Sequence, residues 1–205
     1  LDGIINKEEW KSASKVSLDY EFKPGYNTPP DKKTDVYVFY SDKNLYVGFY
    51  AYDDSLNVRA SIRQRDDMNM FINDDWVNVK LDTYGDSRNN YNLVSNPFGS
   101  QADARQTDAI DEFESYDINY NIEFETAGKI VNDGYNVEFK IPFKNLPFTN
   151  KKNQEWKFRF FRRTYRDGNE VEFISSKYDR NNSCDVCQTT DIIILVVAAD
   201  DSLKP

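Results

Sequence analysis

The chain has 205 residues, of which 39% are hydrophobic and 15% aromatic, including 14 Tyr, 14 Phe and 3 Trp. That length supports one large domain or two small ones, and this much aromatic content excludes a disordered chain. There is no His, and 35 Asp and Glu against 26 Lys and Arg give a net charge of -9, which excludes imidazole catalysis and His-ligated haem or zinc and disfavours nucleic acid and anionic membranes as partners.

Apolar and polar residues alternate along most of the chain. A short helix of one or two turns carrying Trp10 is predicted from Asn6 or Lys7 to Ala13. Strands follow over 35–40 and 45–52, and the polar segment Ser41 to Asn44 between them has hairpin-loop length. In the second of these, Leu45, Val47, Phe49 and Ala51 share one face, and Tyr46, Gly48, Tyr50 and Tyr52 share the other. A strand over 76–82 turns Val77, Val79 and Leu81 one way and Trp76, Asn78 and Lys80 the other. Strands over 91–96 and 101–105 flank a turn at Pro97 to Gly99.

The segments 118–124 and 135–141 alternate cleanly, with Gly134 suited to the turn before the second. Residues 142–146 read as a short helical turn, and 156–165 as a strand closed by Asp167 and Gly168. The apolar run 192–199 is of strand length and reads as a last strand. Nothing reaches the ~20 apolar residues of a membrane-spanning helix. The chain opens on Leu1 without a signal peptide, so it reads as a piece of a longer precursor. Many short strands with little helix indicate an all-β fold, a β-sandwich of jelly-roll type, as a single domain over 1–205.

Four groups of residues could carry chemistry. Trp76, Asn78 and Lys80 share a polar strand face, and neighbouring strands offer Asn92, Asn96, Gln101, Asp103 and Arg105. Amides, carboxylates and Arg fork onto sugar hydroxyls, and an indole gives sugar C–H groups a flat apolar face. Acidic pairs stand at Asp53-Asp54, Asp66-Asp67 and Asp74-Asp75, with Asp82 and Asp86 beyond. Calcium wants six to eight oxygens, and no stretch has EF-hand spacing. Arg59, Arg63 and Arg65, then Arg159, Arg162, Arg163 and Arg166, form basic clusters that in an acidic chain favour carboxylate pairing. Cys184 and Cys187 form a lone CxxC. Without His or further Cys it cannot fill a zinc site, and it reads as a small loop disulfide or two free thiols.

Four segments in order resemble the family 9 carbohydrate-binding-module-like domains. Residues 1–13 (LDGIINKEEWKSA) resemble that family's opening, of the form I-D-G-x-x-x-E-x-x-W-x-x-A. Residues 34–53 are similar to its paired strands ending on Asp, 74–82 to its D-D-x-V-x-V-x-L-D strand, and 133–142 to D-G-Y-x-x-E-x-x-I-P. Residues 65–67, 82–88, 96–103 and 156–162 further resemble the amino-terminal domain of large bacterial proteins. In those proteins the domain follows a signal peptide and precedes an outer-membrane β-barrel.

The resemblance implies a jelly-roll sandwich that binds carbohydrate, with sugar held between Trp rings, and a structural calcium ion. Trp76 is on the plausible ligand face, Trp10 belongs to the opening motif, and Trp156 starts a late strand. A periplasmic or cell-surface location is also implied, where a Cys184–Cys187 disulfide would persist.

The leading expectation is therefore a non-catalytic glycan-binding module of a bacterial envelope protein, associated with the outer membrane. Trp76 would stack on the sugar, while Asn78, Lys80, Asn92, Gln101, Asp103 and Arg105 would bond its hydroxyls. The alternative is a structural or protein-interaction domain whose partner is the downstream barrel. An open face at Trp76 favours the first, and a face covered by residues 66–73 favours the second. A glycosidase ranks last, because among 35 acidic residues some pair always meets the required spacing of about 5–9.5 Å.

Overall fold

The computed structural model describes residues 1–6, 8–108, 115–151, 153–166 and 168–179, and the backbone of 192–197. Cys184, Cys187 and Asp167 lie outside the described residues. Along the chain run β1 (Ser14–Ser17), β2 (Tyr20–Lys23), β3 (Thr34–Tyr40), β4 (Asn44–Tyr52), α1 (Asn69–Asn73), β5 (Trp76–Asp82) and β6 (Asn89–Ser95). Then come β7 (Gln101–Thr107), β8 (Tyr116–Asp117), β9 (Glu125–Val131), β10 (Gly134–Pro142), β11 (Asn153–Arg166), β12 (Asn169–Ile174) and β13 (Ile192–Val197). All pair antiparallel, in a smaller sheet β1-β3-β4-β10-β9 and a larger sheet β2-β12-β11-β5-β6-β7-β8, with β13 also pairing β11.

The alternation of the strands turns one face of each sheet inward. Val47, Phe49, Val137 and Phe139 of the smaller sheet meet Val77, Val79, Leu93, Phe158 and Phe160 of the larger, all fully buried. Phe49 stands edge-on to Phe160 at 5.9 Å. Each such side chain contributes about 1.5–3 kcal/mol by leaving water. Gly134 makes the turn into β10 at φ 142°, where a Cβ would lie 2.0 Å from the Ala51 carbonyl oxygen. No L side chain fits there.

A buried ionic clamp joins the sheets at one end. Arg162 is fully buried and donates to the Tyr52 carbonyl at 3.0 Å and to Asp53 at 2.7 Å. Arg166 bridges Asp53 (3.0 Å) and Asp75 (2.6 and 2.7 Å), and Lys32 reaches Asp53 at 2.9 Å. Asp75 directly precedes Trp76, so the clamp fixes where β5 begins.

Two expected elements take other forms. The segment around Trp10 is a capped turn, with Asn6 accepting the Glu9 amide at 2.8 Å, and the chain then enters β1. Trp10 packs over Gly48, where a Cβ would come within 2.8 Å of the indole. Residues 118–124 alternate like a strand but have no ladder partner. Their backbone is satisfied by side chains instead: Asp103 accepts the Ile122 amide at 2.6 Å, Arg65 donates to the Ile122 carbonyl at 2.6 Å, and Gln101 donates to the Phe124 carbonyl at 3.0 Å.

Candidate functional site

Residues directly opposite each other in a ladder share a face of the sheet. On β5 the even-numbered residues point away from the core. Lys80 lies opposite Asn92 and Arg159, Asn78 opposite Val94 and Phe161, and Trp76 opposite Arg163. One strand further, Asn92 lies opposite Ala104 and Asn90 opposite Gln106. The outer face of the larger sheet therefore carries Trp76, Asn78, Lys80, Asn90, Asn92, Gln106, Arg159 and Arg163. Asn90 and Gln106 went unnoticed in the sequence, although Asn90 sits at period two from Asn92.

These polar groups form a buried floor. Asn78 donates to Asn92 at 3.1 Å, and Asn92 donates to Asn90 at 2.9 Å. Lys80 Nζ reaches Gln106 Oε1 at 3.3 Å and the Tyr116 hydroxyl at 3.4 Å, and it lies 4.9 Å above the Phe161 ring. Arg159 Nε donates to Ser176 at 2.9 Å. Asn78, Lys80, Asn92 and Arg159 are all buried. Asn78 Oδ1 has no hydrogen-bond partner. A buried acceptor in that position costs about 1–3 kcal/mol until something donates to it.

Residues 66–73 lie across one end of this floor. Asp67 Oδ1 accepts from the Asn69 amide and side chain at 2.9 and 2.8 Å and starts α1. Beyond α1, Asp74 is gripped by Arg63 at 2.7 and 2.8 Å and by Asn96 at 2.9 Å. This strap seats Met70 against Trp76, Val94 and Ala102, and sets Phe71 edge-on to the Trp76 ring at 5.8 Å. The Arg163 guanidinium lies 5.8 Å from the same ring and donates to the Phe71 carbonyl. Trp76 is 9% exposed. The open indole face that a sugar stack requires is thus covered in this conformation.

Gln101, Asp103 and Arg105 separate from this group. Five loop residues join β6 to β7, so Ser95 pairs with Gln101 and Leu93 with Asp103, and the odd residues of β7 face inward. There Gln101 accepts from Arg65 at 2.8 Å, Asp103 accepts from Arg65 and Ile122, and Arg105 reaches Asp117 at 3.4 Å. Burial pushes the Asp103 carboxyl up. Grouping these three with Trp76 from the sequence is corrected by this register.

The rim beside Trp76 carries a carboxyl pair. Glu170 bonds Lys23 at 3.1 Å and Arg163 at 3.0 Å. Burial, then the hydrogen bond with Glu170, pushes Glu172 up to about 7. Glu170 is held low, against its own burial, by Glu172 and Lys23.

Of the acidic residues noted in the sequence, Asp74, Asp75 and Asp82 are buried and Asp53 is half-buried, all four engaged by partners, whereas Asp54 and Asp86 are exposed. Lys32, Arg162 and Arg166 hold Asp53 below the usual carboxylate range despite its burial. Asp75 accepts from Arg166, and Asp74 from Arg63. Asp82 accepts the amides of Tyr84, Gly85 and Ser87 at 3.1, 2.8 and 2.8 Å. Among the described residues, the group of three carboxylates placed to hold a metal is Asp2, Glu9 and Glu138, each offering one oxygen within 4.8 Å of the others.

The sequence profile described as "Carbohydrate family 9 binding domain-like" matches residues 1–184. No curated protein matches the chain. Among solved structures, a family 9 carbohydrate-binding module from Caldicellulosiruptor kristjanssonii in complex with cellotriose superposes with a TM-score of 0.62 at 17% identity, over 100% of this chain and 93% of that one. A module of the same family and organism in complex with glucose gives 0.60 at 17% identity, over 100% and 94%. A candidate carbohydrate-binding protein from Bacteroides uniformis ATCC 8492 gives 0.59 at 12% identity, over 84% and 82%. At these identities the likeness is one of fold.

Proposed function

The chain belongs to the carbohydrate family 9 binding domain-like family, and on that premise we propose that it is a non-catalytic saccharide-binding module of a bacterial cell-envelope protein, periplasmic or surface-exposed and associated with the outer membrane. The ligand surface in this reading is the outer face of the larger sheet, with Asn78, Lys80 and Asn92 in its floor and Trp76 under the strap at its edge. One observation carries it: a hydrogen-bonded row of buried amides on a sheet's outer side, ending on the unpartnered Asn78 Oδ1. Planar amides can accept from one hydroxyl and donate to its neighbour, which is the pattern a sugar ring presents. The relatives solved with cellotriose and glucose support a glucan as the first ligand to try.

In this reading, displacement of Phe71 would free the Trp76 ring for a saccharide. A few hydrogen bonds and one aromatic contact support a Kd between about 1 mM and 1 μM. A glycan array is the test. A hit weakened at least tenfold by Asn78→Ala, with the circular dichroism spectrum retained, is expected. An unaltered hit removes this face from the role.

A second reading, a protein-interaction domain, is favoured by the cover over Trp76 and by Met68 and Ile72, which stand 57% and 61% exposed on and beside α1. A blank array from a folded protein would favour this reading, with the downstream barrel as the partner to test.

A further inference from the structure

One arginine ties the strap over Trp76 to a pair of carboxylates. Arg163 on β11 lies opposite Trp76 of β5 on one side and opposite Glu172 of β12 on the other. Its Nη1 donates to the Phe71 carbonyl of α1, its guanidinium lies 5.8 Å from the Trp76 ring, and its Nε lies 3.0 Å from Glu170 Oε1. Glu170 and Glu172 are two residues apart on β12 and share this outer face. Lys23 of β2 faces Glu172 across the next ladder and bonds Glu170 at 3.1 Å. Tyr165 of β11 lies opposite Glu170. β5 brings Trp76 and α1 brings Phe71, both uncharged.

Two carboxylates thus share two cations, and a single proton decides how. While Glu172 holds a proton it hydrogen-bonds Glu170, and the pair carries one negative charge. Arg163 then serves Glu170 and the Phe71 carbonyl together. When that proton leaves, two negative charges stand side by side, and the ionised Glu172 competes for the guanidinium it faces. A charge-assisted bond to a carboxylate is roughly twice as strong as one between neutral groups, so the Phe71 carbonyl is the acceptor that loses. Lys23 compensates less, because its side chain is 52% exposed against 14% for Arg163 and water screens its charge.

We propose that Glu172 is a proton-operated latch on the strap: protonated, it leaves Arg163 holding Phe71 over Trp76, and ionised, it draws Arg163 away so that Phe71 lifts and the indole face opens. Met70, buried against Val94 and Ala102, keeps the rest of the strap in place. The latch is a property of the strap alone. Its use, admitting saccharide at neutral to alkaline pH and excluding it in acid, rests on the saccharide-binding reading.

The test is acrylamide quenching of tryptophan fluorescence from about pH 5 to 8.5 without ligand, with the circular dichroism spectrum recorded alongside. Trp10 and Trp156 are buried, so a change reports on Trp76. The chain has no His, the side chain whose ordinary range falls in this window. The quenching constant should rise about twofold, with its midpoint at about 7. Glu172→Gln, which keeps the shape and cannot ionise, should hold the low value throughout. Glu170→Gln, which removes the neighbouring charge, should move the midpoint down by about one pH unit or more. A flat quenching constant in the parent, or a step that persists in Glu172→Gln, would overturn the latch. Affinity for cellotriose, or for the strongest hit of a glycan array, should be about threefold tighter at pH 8 than at pH 5.5. Equal affinity beside an intact quenching step would strike the saccharide reading of this face and leave the latch standing.

Discussion

The two outer faces of the sandwich are covered in opposite ways. On the smaller sheet the cover is aromatic: Trp10 lies over Gly48 and meets Phe39 edge-on at 5.0 Å. On the larger sheet the floor is amide, Lys and Arg, and the strap that crosses it touches down on Trp76 through Met70 and Phe71. Apolar packing of the first kind has no counterpart that a ligand could replace. Hydrogen bonds of the second kind can be exchanged for those of a saccharide at small net cost, since each contributes only about 0.5–1.5 kcal/mol. The contrast suits the first face to stability and makes the second the one proposed for recognition.

The largest effect should come from Trp10→Ala, which strips the aromatic cover. It should cost about 3–5 kcal/mol in urea unfolding and leave saccharide affinity unchanged in the folded fraction. An equal loss of affinity would break the division of labour.

Next comes pH. Glu172 stands at about 7 in the folded protein against an ordinary 4.5, so its contribution to stability is whole below about pH 4.5 and is lost as pH rises through 7. The unfolding free energy from urea titration across that window should fall by roughly 1–3 kcal/mol, discounted for the solvent at the sheet's rim. Glu172→Gln should flatten the profile. A parent profile already flat would show that the carboxyl pair is not held as described.

Asn92→Ala removes the central amide of the floor, which bonds both Asn78 and Asn90. About 1–2 kcal/mol of stability should go, together with saccharide binding. Retained binding would detach the floor from the ligand.

The smallest change in stability, about 1 kcal/mol, should follow Phe71→Ala at the half-buried edge of the strap. Trp10 and Trp156 are buried, so increased acrylamide quenching in this variant would report on Trp76. Tighter saccharide binding is expected alongside it, because the ring face is freed in advance. Quenching without tighter binding would favour the protein-interaction reading.

Much of the fold was legible in the sequence. The alternation in 35–40, 45–52, 76–82 and 135–141 marked strands that the structure forms, with the first two paired through their short loop as expected and 135–141 paired with the unexpected strand 125–131 instead of 118–124. Trp76, Asn78 and Lys80 were rightly placed on one outer face, because parity within a strand needs no tertiary information. Gln101, Asp103 and Arg105 were not, because their side depends on the five-residue loop that sets the β6–β7 register, after which Arg65 holds Gln101 and Asp103 and Asp117 holds Arg105. Residues 66–73 were named from the sequence as the segment that could cover Trp76, but whether they do was not legible. Their sequence shows no helical period, and their position rests on Arg63, Arg163 and Asn96, contacts that are distant along the chain.

The most direct measurement is an amide chemical-shift map during titration with cellotriose or the strongest hit of a glycan array. Shifts should cluster on Asn78, Lys80, Asn92 and the strap at 66–73, with the Trp10 face of the smaller sheet unmoved. Shifts confined to the smaller sheet, or none at saturating saccharide, would contradict that placement of the saccharide face.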